Sequence, residues 1–342
     1  MTERSGKTQT VLGLVEPAEL GHTQTHEHLL CDLVPAARAG EREGAPVTLE
    51  TLGQLRRHWT RNPDNLRLDS VDDAIEEMHR YRAAGGGALV DATSIGIGRD
   101  PRGLARISEA TGVHVVMGAA YYEGPYHPAE TESQSVEEIA DSIARDLLDG
   151  VDGTGIKSGV IGEIGLGHPV RPLEDKVLRA AALAQRETGV PVMIHPGRSP
   201  DAPLEAIRRL QRAGGDPERS IMCHIDRTLF SHEAMRELAT TGCYVEFDLF
   251  GQESSFYPLA PIDMPNDATR IDHLIHLGEA GFLERLLIAQ DICTKIHLTR
   301  FGGESYSHIL ENVVPMMELK GMSKDEIETI TLRNPARILA IA

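Results

Sequence analysis

The feature that most constrains the fold of this 342-residue chain is a series of short apolar runs, each followed by a segment with helical spacing. The eight runs are Thr23–His28, Ala88–Ser94, His114–Ala120, Gly159–Gly165, Val190–Pro196, Ser220–Asp226, Cys243–Leu249 and Leu286–Ile292. Position 28 ends the first run and position 291 lies near the end of the eighth. The seven intervals from run to run therefore average about 38 residues, a suitable length for one strand and one helix. The alternation predicts a parallel sheet.

Helical spacing occurs where such a sheet needs its crossovers. The predicted helices are Val71–Ala84, Gly103–Thr111, Val136–Leu148, Glu174–Thr188, Pro203–Ala213, Ser231–Thr241, Thr269–Glu279 and Tyr306–Leu319. Several are followed by glycine, for example Gly112 and Gly189, which suits the left-handed end of a helix. We therefore predict an α/β fold, a (β/α)8 TIM barrel. The structural alternative is a doubly wound open sheet, but no G-x-G-x-x-G follows the first run.

Two smaller elements are predicted outside the repeats. Val11–Val15 favours a small N-terminal strand extension, and Asn334-Pro335 is typical of the start of a last short helix. No linker or change of composition divides the chain, so we expect residues 1–342 to form a single domain.

Charge and apolar patterning exclude several functional classes. The 52 acidic and 34 basic residues give a net charge of −18, which opposes binding to nucleic acid or anionic lipid. No apolar run is long enough to cross a bilayer, and Met1–Gln9 has no signal-peptide core. The four cysteines form no C-x-x-C pair. We expect a cytoplasmic protein with a small-molecule substrate, and an anionic one would need a locally basic pocket.

A pair of histidines closes the first run. His26 and His28 are two positions apart, so their imidazoles project from the same side of a strand, an arrangement that suits a metal. With 15 histidines in 342 residues, about 0.7 such pairs arise by chance, so the pair alone is weak evidence.

Further polar residues at the ends of other runs strengthen the prediction. Glu163, His195, His224 and Asp291 close the fourth, fifth, sixth and eighth runs. Barrel enzymes build their active sites at the carboxyl ends of the strands. Imidazole and carboxylate suit zinc and similar divalent ions, and the two oxygens of Glu163 could bridge a pair of them. The alternative is that these groups pair with one another in the core.

Six motifs together resemble the phosphotriesterase family of the amidohydrolase superfamily. They are T-H-E-H at 25–28, V-D-A-T-S-I-G-I-G-R-D at 90–100, G-V-I-G-E-I-G at 159–165, V-M-I-H-P-G-R at 192–198, C-H-I-D-R-T at 223–228 and A-Q-D at 289–291. The resemblance runs nearly end to end. It implies that His26, His28 and Asp291 hold a more buried metal, and that His195 and His224 hold a more exposed one.

The resemblance has one informative departure. Founding members bridge their metals with a carboxylated lysine, whereas Glu163 stands at that position here, and Lys157 lies too early in the chain to replace it. The chain thus looks like the phosphotriesterase-related branch, which argues against efficient turnover of synthetic phosphotriesters. The resemblance also implies two divalent ions, with Zn2+ as first choice and Mn2+, Co2+ or Fe2+ as alternatives, and a homodimer as one possible assembly.

Such a centre predicts hydrolysis by water. Two cations sharing a water would hold hydroxide ready at neutral pH, and Asp291 is the predicted proton shuttle and catalytic residue. Substrate contacts are expected in the loops after the strands, from Tyr121, Tyr122, Arg198, Asp226, Arg227 and Lys295. Arg198 and Arg227 could clamp an anionic group, although structural ion pairs are an equal alternative for each.

We therefore expect a hydrolase of a small anionic amide, of the N-acyl amino-sulfonate type found in this branch, or of a lactone. A phosphoester or phosphotriester hydrolase and a non-catalytic ligand-binding protein remain alternatives. A Schiff-base aldolase is disfavoured because no run ends in lysine. Phe247–Met264 is predicted to be either a substrate lid or a dimer contact.

Overall fold

A computed structural model of the chain describes residues 3–35, 44–253 and 257–342. Its strands are β1 (Thr8–Thr10), β2 (Gly13–Val15), β3 (His22–Glu27), β4 (Cys31–Asp32), β5 (Arg67–Leu68), β6 (Gly86–Asp91), β7 (His114–Ala119), β8 (Val160–Gly165), β9 (Val192–His195), β10 (Ser220–Met222), β11 (Tyr244–Phe247) and β12 (Leu286–Ile288). Strands β3 and β6 to β12 form one parallel eight-stranded sheet in chain order.

The sheet closes on itself at its two ends. Just beyond β12, the backbone N–H of Asp291 donates to the carbonyl of His26 over 3.1 Å. The N–H of His28 donates to the carbonyl of Ile292 over 3.2 Å. These bonds join the last strand to the first and confirm the predicted (β/α)8 barrel.

Helices follow the barrel strands as predicted. They are α1 (Leu49–Leu55), α2 (Val71–Ala83), α3 (Pro101–Thr111), α4 (Val136–Leu148), α5 (Pro172–Thr188), α6 (Ala202–Arg212), α7 (His232–Ala239), α8 (Asp267–Leu277), α9 (Val314–Leu319), α10 (Lys324–Glu328) and α11 (Asn334–Leu339). Capping explains several boundaries: the Asp100 carboxylate accepts from the first turn of α3, and that helix ends at Gly112 with a φ of 69°. Among the described helices, none is both long and apolar enough to span a bilayer.

Buried side chains cover both faces of the barrel wall. Strands such as β6 and β8 are buried at every residue, as expected for parallel strands covered on both faces, and this explains their continuous apolar runs. Between the strands and the helices, Ile139 and Leu178 pack with Ile194 in the largest apolar cluster.

Three predicted boundaries were wrong or incomplete. Val11–Val15 is not one strand, because β1 and β2 form an antiparallel hairpin whose turn lies at positions 11–12. β10 and β12 end earlier than the apolar runs do. His224 and Asp291, with φ values of 56° and 50°, adopt left-handed conformations that end strand pairing.

Phe247–Met264 was predicted to be a substrate lid or a dimer contact. Phe256, within this segment, lies outside the described residues, and the role of the segment stays a prediction.

Candidate metal centre

The six residues predicted as metal ligands lie together at the carboxyl end of the barrel. They are His26, His28, Glu163, His195, His224 and Asp291, and we call them the six-residue cluster. All but Asp291 are almost fully buried, and the Asp291 side chain is 17% exposed. Because the cluster draws on strands far apart in the chain, it exists only when the barrel is closed.

One half of the cluster surrounds His26 and His28. The Nε2 of His28 lies 3.4 Å from Oε1 of Glu163 and 3.3 Å from Oδ1 of Asp291. The Nε2 of His26 lies 3.6 Å from Oε2 of Glu163 and 3.7 Å from Oδ1 of Asp291. Two nitrogens and carboxylate oxygens therefore face one another at distances that ligands around a single small cation adopt.

The other half joins His195 and His224 to the same glutamate. The Nδ1 of His195 lies 3.0 Å from Oε2 of Glu163, and the Nε2 of His224 lies 3.4 Å from that oxygen. The two ring nitrogens are 2.9 Å apart. Glu163 thus directs one oxygen at His28 and the other at the remaining three histidines.

The chemistry of the donors fits divalent cations. The Nε2 of His26, which faces Glu163 and Asp291, is buried without a hydrogen-bond partner, and buried polar atoms are rarely left so. Burial alone would raise the pKa of Glu163, but the charges of His26 and His195 outweigh it and hold that pKa well below its ordinary value. A fixed carboxylate among imidazoles suits zinc and related ions.

Outer residues orient the histidines. The Nδ1 of His224 lies 2.8 Å from Oδ1 of Asp248, and the Nδ1 of His26 lies 3.3 Å from Oδ2 of the same residue. The Nδ1 of His28 meets the Thr93 hydroxyl at 2.8 Å. Such partners fix which nitrogen of a ligating imidazole carries the proton and hold the ring in place.

Backbone strain also marks this site. His224 and Asp291 have left-handed backbones, which non-glycine residues seldom adopt, although histidine, aspartate and asparagine do so more often than the others. Strained conformations of this kind cost roughly 1–3 kcal/mol each and tend to occur at functional sites. The surrounding fold therefore holds both side chains in an orientation that the local chain does not favour.

A small cavity of about 50 Å3 opens above the cluster. Tyr122, Arg198 and Arg227, all predicted substrate contacts, line it together with His28, Glu163, His195 and Asp291. Tyr122 packs edge-on against the His195 ring, with ring centres 5.0 Å apart. Burial raises the pKa of Tyr122 well above its ordinary value, so its hydroxyl keeps a proton to donate.

The two arginines differ in their partners. Arg198 donates to the Glu123 carboxylate over 3.0 Å and to the Tyr257 hydroxyl over 3.1 Å. Arg227 is 3% exposed and reaches only the His195 ring, the Pro196 carbonyl and the Thr228 hydroxyl, and none of the described carboxylates forms an ion pair with it. Arg198 is therefore neutralised within the protein, whereas Arg227 carries a buried charge that no carboxylate in the described part of the chain neutralises.

Three predicted substrate contacts lie elsewhere. Tyr121 belongs to the apolar cluster between the barrel and α4. Asp226 is buried in an ion pair with Arg270, whose Nε lies 2.7 Å from Oδ2. Lys295 binds Asp64 over 2.7 Å. An internal partner or the apolar core holds each of these side chains, and none of the three lines the cavity. A substrate contact from any of them stays a prediction.

The sequence held signals for other site residues that we missed. Glu246 and Asp248 close the seventh run two positions apart, just as His26 and His28 close the first. Glu123 directly follows the tyrosine pair after the third run. The rule that strand ends carry the chemistry could have found all three.

Comparisons with known proteins agree with this geometry. The model of the phosphotriesterase family matches residues 6–339. The N-acetyltaurine hydrolase of Homo sapiens is 45% identical over 348 residues, covering 99% of each chain. Among solved structures, a resiniferatoxin-binding protein from Rhodobacter sphaeroides is 36% identical with a TM-score of 0.93, covering 99% of this chain and 97% of its own. A phosphotriesterase homology protein from Escherichia coli, complexed with phosphate in its active site, is 29% identical with a TM-score of 0.79, covering 94% and 99%.

Proposed function

This chain belongs to the phosphotriesterase family and is a hydrolase, and from that premise we propose that it is a metal-dependent amidase for a small anionic amide of the N-acyl amino-sulfonate type. The observation that carries the proposal is Arg227, a buried cation in the cavity wall above the six-residue cluster that has no counter-ion among the described residues. An unpaired buried charge is costly, and an anionic substrate would neutralise it.

The six-residue cluster would hold two divalent ions. His26, His28 and Asp291 would bind the first, His195 and His224 the second, and Glu163 both. Ions bound there would supply two effects, activation of a water for attack and polarisation of the acyl carbonyl. Zn2+ is our first choice, because the donors are imidazoles and carboxylates.

Protons would move through Asp291. Its carboxylate faces the cavity at the mouth of the cluster and is its most exposed member. It would accept a proton from the attacking water and return it to the amide nitrogen as the C–N bond breaks. The products are then a carboxylate, which keeps the water oxygen, and an ammonium group, whose nitrogen takes both protons of the water, one of them through Asp291.

Arg227 would bind the charged end of the leaving group. A guanidinium offers a planar set of N–H donors that matches sulfonate or carboxylate oxygens. Arg198, already paired with Glu123, would contribute shape and additional hydrogen bonds more than net charge. Tyr122, whose ring lies against His195, would form the facing wall and donate its hydroxyl proton in a hydrogen bond.

The experiment compares N-acetyltaurine with N-ethylacetamide, which has the same amide without the sulfonate. We expect kcat/KM to be higher for the anionic amide by roughly 10- to 100-fold, since a charge-assisted hydrogen bond contributes about 1.5–3 kcal/mol. Removal of metal should abolish both reactions and its return should restore them. Equal turnover of the two amides, or full activity of the metal-free protein, would contradict the proposal.

Two relatives favour alternatives that the same assay separates. The Escherichia coli structure holds phosphate in its active site, so a phosphoester belongs in the substrate panel. The Rhodobacter sphaeroides relative is described as binding resiniferatoxin, which favours a small-ligand-binding protein. Bound metal with no turnover of amides, lactones or phosphoesters would support the binding role.

A further inference from the structure

The outward nitrogen of His195 has two neighbours of opposite chemistry. Its Nε2 lies 3.2 Å from Oε1 of Glu123, a hydrogen-bond acceptor, and 3.1 Å from Nη2 of Arg227, a donor. Its Nδ1 faces Glu163 and His224 within the six-residue cluster. A neutral imidazole carries one proton, so Nε2 either donates to Glu123 or accepts from Arg227, and the choice fixes the state of Nδ1.

The two choices have different consequences for a cation. If Arg227 donated to Nε2, the proton of His195 would sit on Nδ1 and block it. If Nε2–H donates to Glu123, the lone pair of Nδ1 points into the cluster, which is the form that binds a metal. Only the second tautomer lets His195 act as a ligand.

Glu123 is held where it can enforce that tautomer. Arg198 binds the same Oε1 over 3.0 Å, so the carboxylate oxygen is fixed between the guanidinium and the imidazole. The backbone of Glu123 packs against Gly165 at the end of β8. The two are so close that a Cβ added to Gly165 would lie 2.1 Å from the Glu123 nitrogen. The next residue, Gly124, donates to the buried Glu174 carboxylate over 3.2 Å. The loop therefore has little room to withdraw the side chain.

We propose that Glu123 is a positioning residue that keeps the proton of His195 on Nε2 and thereby sets the affinity of the cation position at His195 and His224. With Nε2 engaged as a donor to Glu123, Arg227 keeps for the anionic group of the substrate the Nη2 hydrogen that the Pro196 carbonyl does not accept. The inference rests on the proposed function, because it requires that a cation binds at these histidines.

The test measures metal retention rather than activity. The zinc-loaded protein and its variants would be titrated with a competing chelator, and the zinc remaining per chain counted by elemental analysis. We expect two ions in the unmutated protein. In Glu123→Ala one ion should be held as before, and the dissociation constant of the other should rise roughly 10- to 100-fold, the usual effect of removing an outer partner of a metal ligand.

Matched variants separate tautomer control from packing. Glu123→Gln keeps an oxygen that can accept from Nε2–H, so it should recover most of the lost affinity. Arg198→Ala, which removes the other partner of Glu123, should keep both ions. Glu130→Gln makes the same chemical change at an exposed glutamate of the same loop and should match the unmutated protein. If Glu123→Ala does not fold, Glu123→Met removes the acceptor while keeping the length of the side chain.

Several results would overturn the inference. One is retention of both ions at unchanged affinity in Glu123→Ala, or in Glu123→Met. Another is an equal loss of zinc affinity in Arg198→Ala and Glu123→Ala that Glu123→Gln does not recover. Glu123 would then act through packing and not through the proton of His195. Failure of the proposed function is distinguishable. A protein that holds two zinc ions without hydrolysing the amide would lose only the proposed function, whereas an unmutated protein that holds no zinc would overturn this inference as well.

Discussion

Two groups of buried charged residues lie within the same barrel, and they are balanced in opposite ways. Around Arg270, which is fully buried, Asp226 and Asp267 accept from the guanidinium over 2.7 and 2.8 Å, and Gln252 offers its carbonyl over 2.9 Å. In the six-residue cluster, histidines and carboxylates face each other with an unpartnered Nε2 on His26, and Arg227 beside them has no carboxylate among the described residues. The cation of the first group has internal counter-ions, whereas Arg227 in the second has none among the described residues.

The difference teaches which buried charges point to function. Asp226 lies two positions after His224 and was predicted to touch substrate, yet Arg270, 44 residues further on, is its partner. A buried charge with an internal counter-ion contributes to the fold, and a buried charge without one needs something from outside. The following predictions test that distinction, beginning with the largest effect.

Asp291→Asn should remove most activity while leaving the fold intact. The amide cannot accept the proton of the attacking water, so we expect kcat to fall by roughly 10²- to 10⁴-fold. Steady-state kinetics on N-acetyltaurine and thermal unfolding of the same samples check this. Asp201→Asn, at an exposed position at the start of α6, is the control and should change neither. Unchanged kcat in Asp291→Asn would remove this residue from the mechanism.

Arg270→Met should have the opposite effect, a loss of stability with most of the activity retained. Loss of the guanidinium leaves Asp226 and Asp267 buried without their cation, and breaking such a pair costs about 3–5 kcal/mol of unfolding free energy. The folded fraction should keep its zinc and most of its kcat. Denaturant unfolding measures the loss, and the triple variant with Asp226→Asn and Asp267→Asn should recover part of it. Loss of zinc at full stability would show that the two groups are not separate.

Arg227→Ala should change recognition more than stability. We expect kcat/KM for the anionic amide to fall by roughly 10- to 100-fold, since a charge-assisted hydrogen bond is lost. Turnover of N-ethylacetamide should stay the same. Because Arg227 lacks an internal counter-ion, its removal should leave unfolding free energy unchanged or slightly higher. A loss of stability like that of Arg270→Met would place Arg227 in the structural group instead.

Lys295→Met should have the smallest effect. The lysine binds Asp64 at the edge of the fold, and a partly exposed ion pair contributes about 1 kcal/mol or less. KM for the anionic amide should not change. An increase in KM comparable to that of Arg227→Ala would restore Lys295 to the substrate contacts predicted from sequence.

The sequence predicted the barrel because its signals are local. Parallel strands buried on both faces give continuous apolar runs, as in Gly86–Asp91 and Val160–Gly165, and glycines mark the ends of several helices. The candidate cluster followed from one topological rule, that strand ends of a barrel share one mouth.

What the sequence did not predict depends on contacts between distant residues. Asp226 pairs with Arg270, and Lys295 pairs with Asp64, 231 positions away, so two residues predicted to contact substrate have internal partners. The left-handed backbones of His224 and Asp291 shortened two strands without a change in the apolar pattern. Glu123 and Asp248 become visible as partners of histidines only once the loops are in place.

The central claim is that the six-residue cluster holds two divalent ions that share Glu163. An anomalous-difference map recorded at the zinc edge on crystals of the zinc-loaded protein tests it most directly. We predict two peaks, one among His26, His28 and Asp291 and one beside His195 and His224, with a Glu163 oxygen next to each. A map with no peak in the cluster, or with its only peaks at the protein surface, would contradict the account.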